Sequence, residues 1–117
     1  MNTPLYGSKG YIPQVADNNT YVSVITVPTG YHCKITYFLA AASGSITVDA
    51  RWSDGSNYSF LHSKNMSAGD LVEFGGGDGK VLVMTEGETI DIQCSSVNAT
   101  FIISYELYTA PTSTIVL

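Results

Sequence analysis

The sequence predicts an all-β domain: an antiparallel two-sheet β-sandwich or jelly roll of about eight strands, with an arm at each end. Three observations predict it. Turn signals built from Gly, Pro, Ser and Asp recur about every 8–12 residues. The runs between them favour Val, Ile, Thr, Tyr and Phe, which suit a pleated, half-buried surface. Within the runs apolar and polar residues alternate with a period of two, whereas helical spacing does no better than chance in any window. The chain has 117 residues, enough for one core and hardly for two.

Residues 1–19 lie outside the strand rhythm and carry Pro4, Gly7, Gly10 and Pro13 among the apolar anchors Leu5, Tyr11 and Ile12. They form the N-terminal arm. The domain proper is 20–108. Its strands are expected over Thr20–Val27, Tyr31–Ala41, Ser45–Ser53, Ser56–Ser63, Asp70–Phe74, Lys80–Met84, Thr89–Ser95 and Ala99–Tyr108. In the third, Ile46, Val48, Ala50 and Trp52 face one way, against Thr47, Asp49 and Arg51. In the seventh, Ile90, Ile92 and Cys94 oppose Asp91 and Gln93. In the eighth, Phe101, Ile103, Tyr105 and Leu107 oppose Ser104 and Glu106, with Ile102 out of step. One face of each sheet is therefore packed and the other wet. Asp54-Gly55 marks a hairpin, because glycine accepts the positive φ of a tight turn. Gly75 to Gly79 is too rich in glycine for a minimal turn and is expected to be a loop tip. Residues 109–117 form the C-terminal arm. Its Ile115, Val116 and Leu117 are each costly to leave in water, by about 1.5–3 kcal/mol for a large side chain that could otherwise be buried. The two ends either fold back on their own domain or act as arms added to a neighbouring subunit by strand addition or swapping; on the second reading Leu5, Tyr11, Ile12, Ile115, Val116 and Leu117 are the candidate partner-binding residues.

Composition excludes several functions. The net charge is −5, and the basic residues Lys9, Lys34, Arg51, Lys64 and Lys80 are scattered. This is no footprint for nucleic acid or for anionic lipid. The most apolar stretch, 31–42, contains His32, Lys34 and Thr36, so no segment matches the ~20 apolar residues of a membrane helix. The first residues show no secretory signal pattern.

No chemistry is expected. His32 and His62 are isolated, no Gly-x-Ser-x-Gly elbow is present, and Asp49 and Asp91 fall on wet strand faces. Catalysis, a metal site and a cofactor are all expected to be absent. The glycine run lacks the spacing, the Ser or Thr after lysine and the following helix of a phosphate loop. Six acidic residues, Asp70, Glu73, Asp78, Glu86, Glu88 and Asp91, suggest a solvated acidic end. Cys33 and Cys94 share parity with inward residues and read as two reduced core thiols; one disulfide, worth up to ~4 kcal/mol, is the alternative. Tyr6, Tyr11, Tyr21, Tyr31 and Tyr58 lie near ends or loops. They serve either as half-buried packing or as rings for an interface or a sugar.

Four segments carry a resemblance. They are Val27-Pro28-Thr29-Gly30 followed by Ile35, Ser67-Ala68-Gly69-Asp70-Leu71-Val72-Glu73-Phe74 with the glycine run and Lys80-Val81-Leu82-Val83, Glu86-Gly87-Glu88-Thr89-Ile90-Asp91-Ile92, and Phe101-Ile102-Ile103-Ser104-Tyr105-Glu106. In this order the chain is similar, from Thr26 to Tyr108, to small β-sandwich accessory proteins of tailed bacteriophage virions, including capsid decoration (cement) proteins and modules of tail fibres. The resemblance implies a non-enzymatic structural protein on the capsid surface of a virion assembled in the host cytoplasm. Its partner would be the major capsid protein or another virion subunit, and a homo-oligomer, trimer or dimer, is expected. The alternative is a carbohydrate- or receptor-binding module of a tail fibre or baseplate, or a neck or tail adaptor.

Overall fold

The computed structural model describes residues 5–14, 17–77 and 81–110. Nine strands follow one another: β1 (Leu5–Tyr11), β2 (Val22–Thr26), β3 (Tyr31–Ala42), β4 (Ile46–Ser53), β5 (Asn57–Met66), β6 (Leu71–Gly75), β7 (Leu82–Met84), β8 (Thr89–Cys94) and β9 (Ala99–Thr109). They build two antiparallel sheets packed face to face. Sheet A runs β1-β9-β3-β6, with β7 also on β3; sheet B runs β2-β8-β4-β5. The pairs β1:β9, β2:β8, β3:β6 and β4:β5 nest like a long hairpin folded over itself, and the β9–β3 and β8–β4 pairings join them into sheets. This is jelly-roll order.

The eight strands expected from 20–108 are all present. The additional one is β1. Residues 5–11, read above as part of an arm, pair along their length with β9, from Leu5 opposite Leu107 to Tyr11 opposite Phe101. Tyr105 lies over Gly7, and a Cβ there would stand 2.5 Å from the Tyr105 hydroxyl, so a side chain at this position would have to displace the ring. Residues 111–117, with Ile115, Val116 and Leu117, lie outside the described residues.

The inward residues meet in one core. Val48, Ala50, Phe101, Ile103, Ile90 and Ile92 are buried with the parity read from the sequence, and Ala40 and Met84 are buried with them. Cys33 and Cys94 are buried and free, one in each sheet, and burial pushes both thiols up to about 11. Strand β3 changes parity part-way. Ile35 pairs with Tyr105 but Tyr37 with Ser104, so Thr36 is an extra residue, a β-bulge. Cys33 and Ile35 face inward before it, and Phe38, Ala40 and Ala42 after it. Gly75 packs on the bulge at φ 90°; a Cβ there would stand 2.1 Å from the Thr36 carbonyl oxygen.

Candidate functional site: an aromatic cleft between two sheet edges

The two sheets share two open sides. One lies between the edges β1 and β2, the other between β5 and the β6/β7 edge of sheet A. On the second side is a cleft of ≈ 260 Å³ lined by Ile35, Tyr37, Phe38, Trp52, Tyr58, Ser59, Phe60, Phe74, Val81, Leu82 and Ile90. Its lining is overwhelmingly apolar, and six of those eleven side chains are aromatic.

Strand β5 explains how the rings converge. Its residues are mostly exposed, apart from Leu61 and Met66. Its register against β4 slips twice: Val48 pairs with Lys64, Ala50 with Leu61 and Arg51 with Ser59. Each slip is an extra residue in β5. One falls at His62–Ser63, where Ser63 has φ 46°. There the Ser63 N–H donates to Asp49 Oδ1 at 2.8 Å, and His62 Nδ1 lies 3.3 Å from the same oxygen. The other is Phe60. Breaking the alternation lets Phe60 and Leu61 both turn toward sheet A. The Phe60 ring meets Phe38 and Phe74 edge-on, with centroids 5.3 and 5.9 Å away. Tyr58, opposite Trp52 in register, packs on it at 5.0 Å with 31° between the rings. Edge-to-face and offset geometries of this kind are the favourable ones. Even so, Tyr58 keeps 48% and Phe60 36% of their surface in water.

Two polar groups of the lining, on Trp52 and Tyr37, are engaged with carboxylates. Trp52 Nε1–H donates to Glu88 Oε1 at 3.0 Å, and the Thr85 hydroxyl donates to Glu88 Oε2 at 2.5 Å. The Tyr37 hydroxyl donates to Glu73 Oε2 at 2.8 Å. That bond, with burial and the carboxylate charge, pushes the Tyr37 phenol above its ordinary value.

The acidic residues divide differently from the expectation of a solvated end. Asp70 and Glu86 staple loops, accepting the N–H of Ser67 and of Gly30, each at 2.8 Å. Asp91 is a correction. It stands on the outward face, as expected, but is 5% exposed. Ser23 donates to its Oδ1 at 2.6 Å and Arg51 Nε to its Oδ2 at 3.0 Å. The Arg51 guanidinium in turn lies 3.6 Å from the Tyr21 ring centroid, a cation–π contact. Burial pushes the Asp91 carboxyl up. The hydrogen bonds from Ser23, Arg51 and Thr89, with the Arg51 charge, outweigh it and hold the group below the ordinary value. Among the described residues no three His, Cys, Asp or Glu side chains group to hold a metal, and no helix is long and apolar enough to cross a membrane.

The candidate binding residues of the N-terminal segment separate. Leu5 begins β1. Tyr11 is half-buried against the core, and its hydroxyl donates to Asp17; burial, that bond and the Asp17 charge push its phenol up to about 12. Ile12 is 65% exposed. The structure does not bring these residues to the aromatic cleft. Of the cleft's rings, the sequence placed Trp52 on an inward face and offered only Tyr58 as a ring for an interface or a sugar. The signal for the rest was Phe60-Leu61, two large apolar residues in succession on a strand otherwise polar.

No protein-family model matches the chain, and no curated protein matches it. Among solved structures it is similar to a chain of the N-terminal endo-1,4-beta-D-xylanase 10B of Clostridium thermocellum, whose CBM22-1 and GH10 modules are complexed with xylohexaose. The identity is 9% and the TM-score 0.33, over 97% of this chain and 27% of that one. At these values the likeness bears on neither activity nor ligand.

Proposed function

We propose that this protein works by adhesion and not by turnover: a non-enzymatic structural protein of a tailed-phage virion, decorating the head. The observation that carries the adhesive part is the aromatic cleft, which leaves Tyr58 and Phe60 partly in water between two sheet edges. Clustered, rigid aromatic surface of this kind is what buried interface anchors are made of. The virion part rests on the resemblance of the turn and strand order from Thr26 to Tyr108. A jelly roll is compatible with it, and with many other roles. A decoration protein stabilises a shell because it binds the assembled state better than its parts, and repetition over the shell lets each copy contribute a modest interface.

A second reading, a saccharide-binding module of a tail fibre, is favoured by the exposed Tyr58 ring beside Trp52. Antibody labelling and copy counting on purified virions separate them. Hundreds of copies on the head support decoration. A dozen or fewer on the tail support the second reading, and absence from particles overturns both.

A further inference from the structure

We infer that the edge strand β1 is a self-recognition surface: it pairs antiparallel with β1 of a second copy of this chain, about a two-fold axis through Ser8. Pairing of this kind does not depend on the virion reading.

Among the described residues β1 pairs only with β9, so the other side of its backbone is open. An open edge is a template for another strand, and sheets blunt their edges with short strands, bulges and inward charges. The other edges here are blunted. Strand β2 slips against β8 between Ser23 and Ile25, and β5 slips twice against β4. Strand β7 has three residues; β6 has five and ends at Gly75, against the Thr36 bulge. Strand β1 keeps register with β9 over all seven of its residues. Its one guard is Lys9, which stands opposite the inward Ile103 and lines the hollow beside β2.

Register follows from the residue order. Residues paired across an antiparallel ladder share a face, so a two-fold axis must pass through a residue position. Centred on Ser8, the whole strand pairs. Tyr6 then falls opposite Gly10 of the second copy, and Lys9 opposite its Gly7, so each long side chain meets a glycine. The pair on the outer face decides the register. Tyr6 is 71% exposed. Outside its chain neighbours, no atom stands within 4 Å of a Cβ built on Gly10. Beyond Gly10 lies Ile102, its partner in β9, still 36% exposed. The ring of one copy therefore has bare backbone and an apolar side chain to cover on the other, and aromatic rings laid over edge glycines stabilise sheets in this way. Centring on Lys9 would set two ammonium groups directly opposite each other, which is unfavourable. Centring on Gly7 would leave Gly10 bare. Seven residues a side is far less than the ~20–30 of a standard interface, so a weak dimer is expected, with Kd about 10–100 µM. The aromatic cleft is on the other open side of the sandwich, and a pair of copies keeps both clefts for a different molecule.

Sedimentation equilibrium of the full-length protein, from about 5 µM to about 1 mM, is expected to show the mass of one chain rising toward that of two. Tyr6→Ser is expected to weaken association at least about tenfold with an unchanged urea midpoint. Cross-linking reads the register. Directly opposite residues bring their Cα atoms to about 4.5–5.5 Å, within disulfide range. Under mild oxidation Ser8→Cys is therefore expected to form a covalent dimer. Tyr6→Cys alone and Gly10→Cys alone are expected not to, whereas an equal mixture of the two is. Cys33 and Cys94 are buried, so the unaltered chain is expected to give no cross-link. A single-chain mass up to about 1 mM, a trimer, cross-linking of Tyr6→Cys or Gly10→Cys alone, or association indifferent to Tyr6→Ser overturns the inference. Dimers of a protein absent from virions would sink the virion reading and leave this one standing.

Discussion

The two open sides of the sandwich are built from the same inward-facing pattern and finish differently. Between β1 and β2 the chain ties itself down, yet leaves a hollow larger than the aromatic cleft. Tyr105 lies on Gly7, Tyr11 is tied to Asp17, and the hollow that remains, ≈ 340 Å³, has Lys9, Cys33 and Val24 in its walls. Between β5 and β6/β7 the rings of Trp52, Tyr58, Phe60 and Phe74 crowd together and two of them stay wet. The first side spends its aromatics on holding an edge strand. The second keeps a surplus that nothing in the described chain covers. Exposed contiguous apolar surface is uncommon without a use, which is why the second side is the better candidate for contact with another molecule.

The largest expected effect tests how the wet side is held. Gly75→Ala places a Cβ against the Thr36 carbonyl at a φ that side chains rarely adopt, and should cost about 3 kcal/mol, read as a lower urea midpoint. Next is the closed side. Gly7→Val drives Tyr105 off the β1 edge and should cost about 2 kcal/mol; an unchanged midpoint would mean that β1 contributes little to closure. Phe60→Ser, at a position 36% exposed, should cost about 1–2 kcal/mol. Tyr11→Phe removes the hydroxyl that Asp17 accepts and should cost about 1 kcal/mol.

Titration sharpens the contrast further. Burial raises the Cys33 thiol, in the wall of the closed side, from an ordinary value of 9.0 to about 11. A group with a raised folded pKa contributes stability below its unfolded value and loses it as pH rises through the folded one. Cys33 should therefore favour the native state at pH 8 and cease to do so between pH 9 and 11. Maleimide at pH 8 should leave it unlabelled until denaturant is added. Labelling of the native protein at Cys33 would show that the side between β1 and β2 opens. On the outer face the sign reverses. The depressed Asp91 carboxyl contributes stability above its unfolded value, which is lost as pH falls through the lower folded one.

The parts legible in the sequence were those with clean alternation. Ile46 to Trp52, Ile90 to Cys94 and Phe101 to Leu107 announced both their strands and their buried faces. Strand β1 was not legible, because Gly7, Lys9 and Gly10 break the pattern and the reason for Gly7 is a ring almost a hundred residues away. The bulge at Thr36 was hidden because Thr is an ordinary strand residue. Asp91 sat on the predicted face, but its burial depends on Ser23, Arg51 and Tyr21, contributed by two other parts of the chain. The cleft escaped for the same reason. Its rings come from β3, β4, β5 and β6, and only the sheet order brings them together.

The nested pairing has a consequence for how the molecule is made. Strand β1 is the first of the described strands, yet its partner β9 is the last of them. Sheet A cannot gain its outer strand until almost the whole domain has emerged, and such distant pairings are slow to find. During that interval the Gly7 edge has no native strand partner, so a nascent or truncated chain lacking β9 should be retained by chaperones.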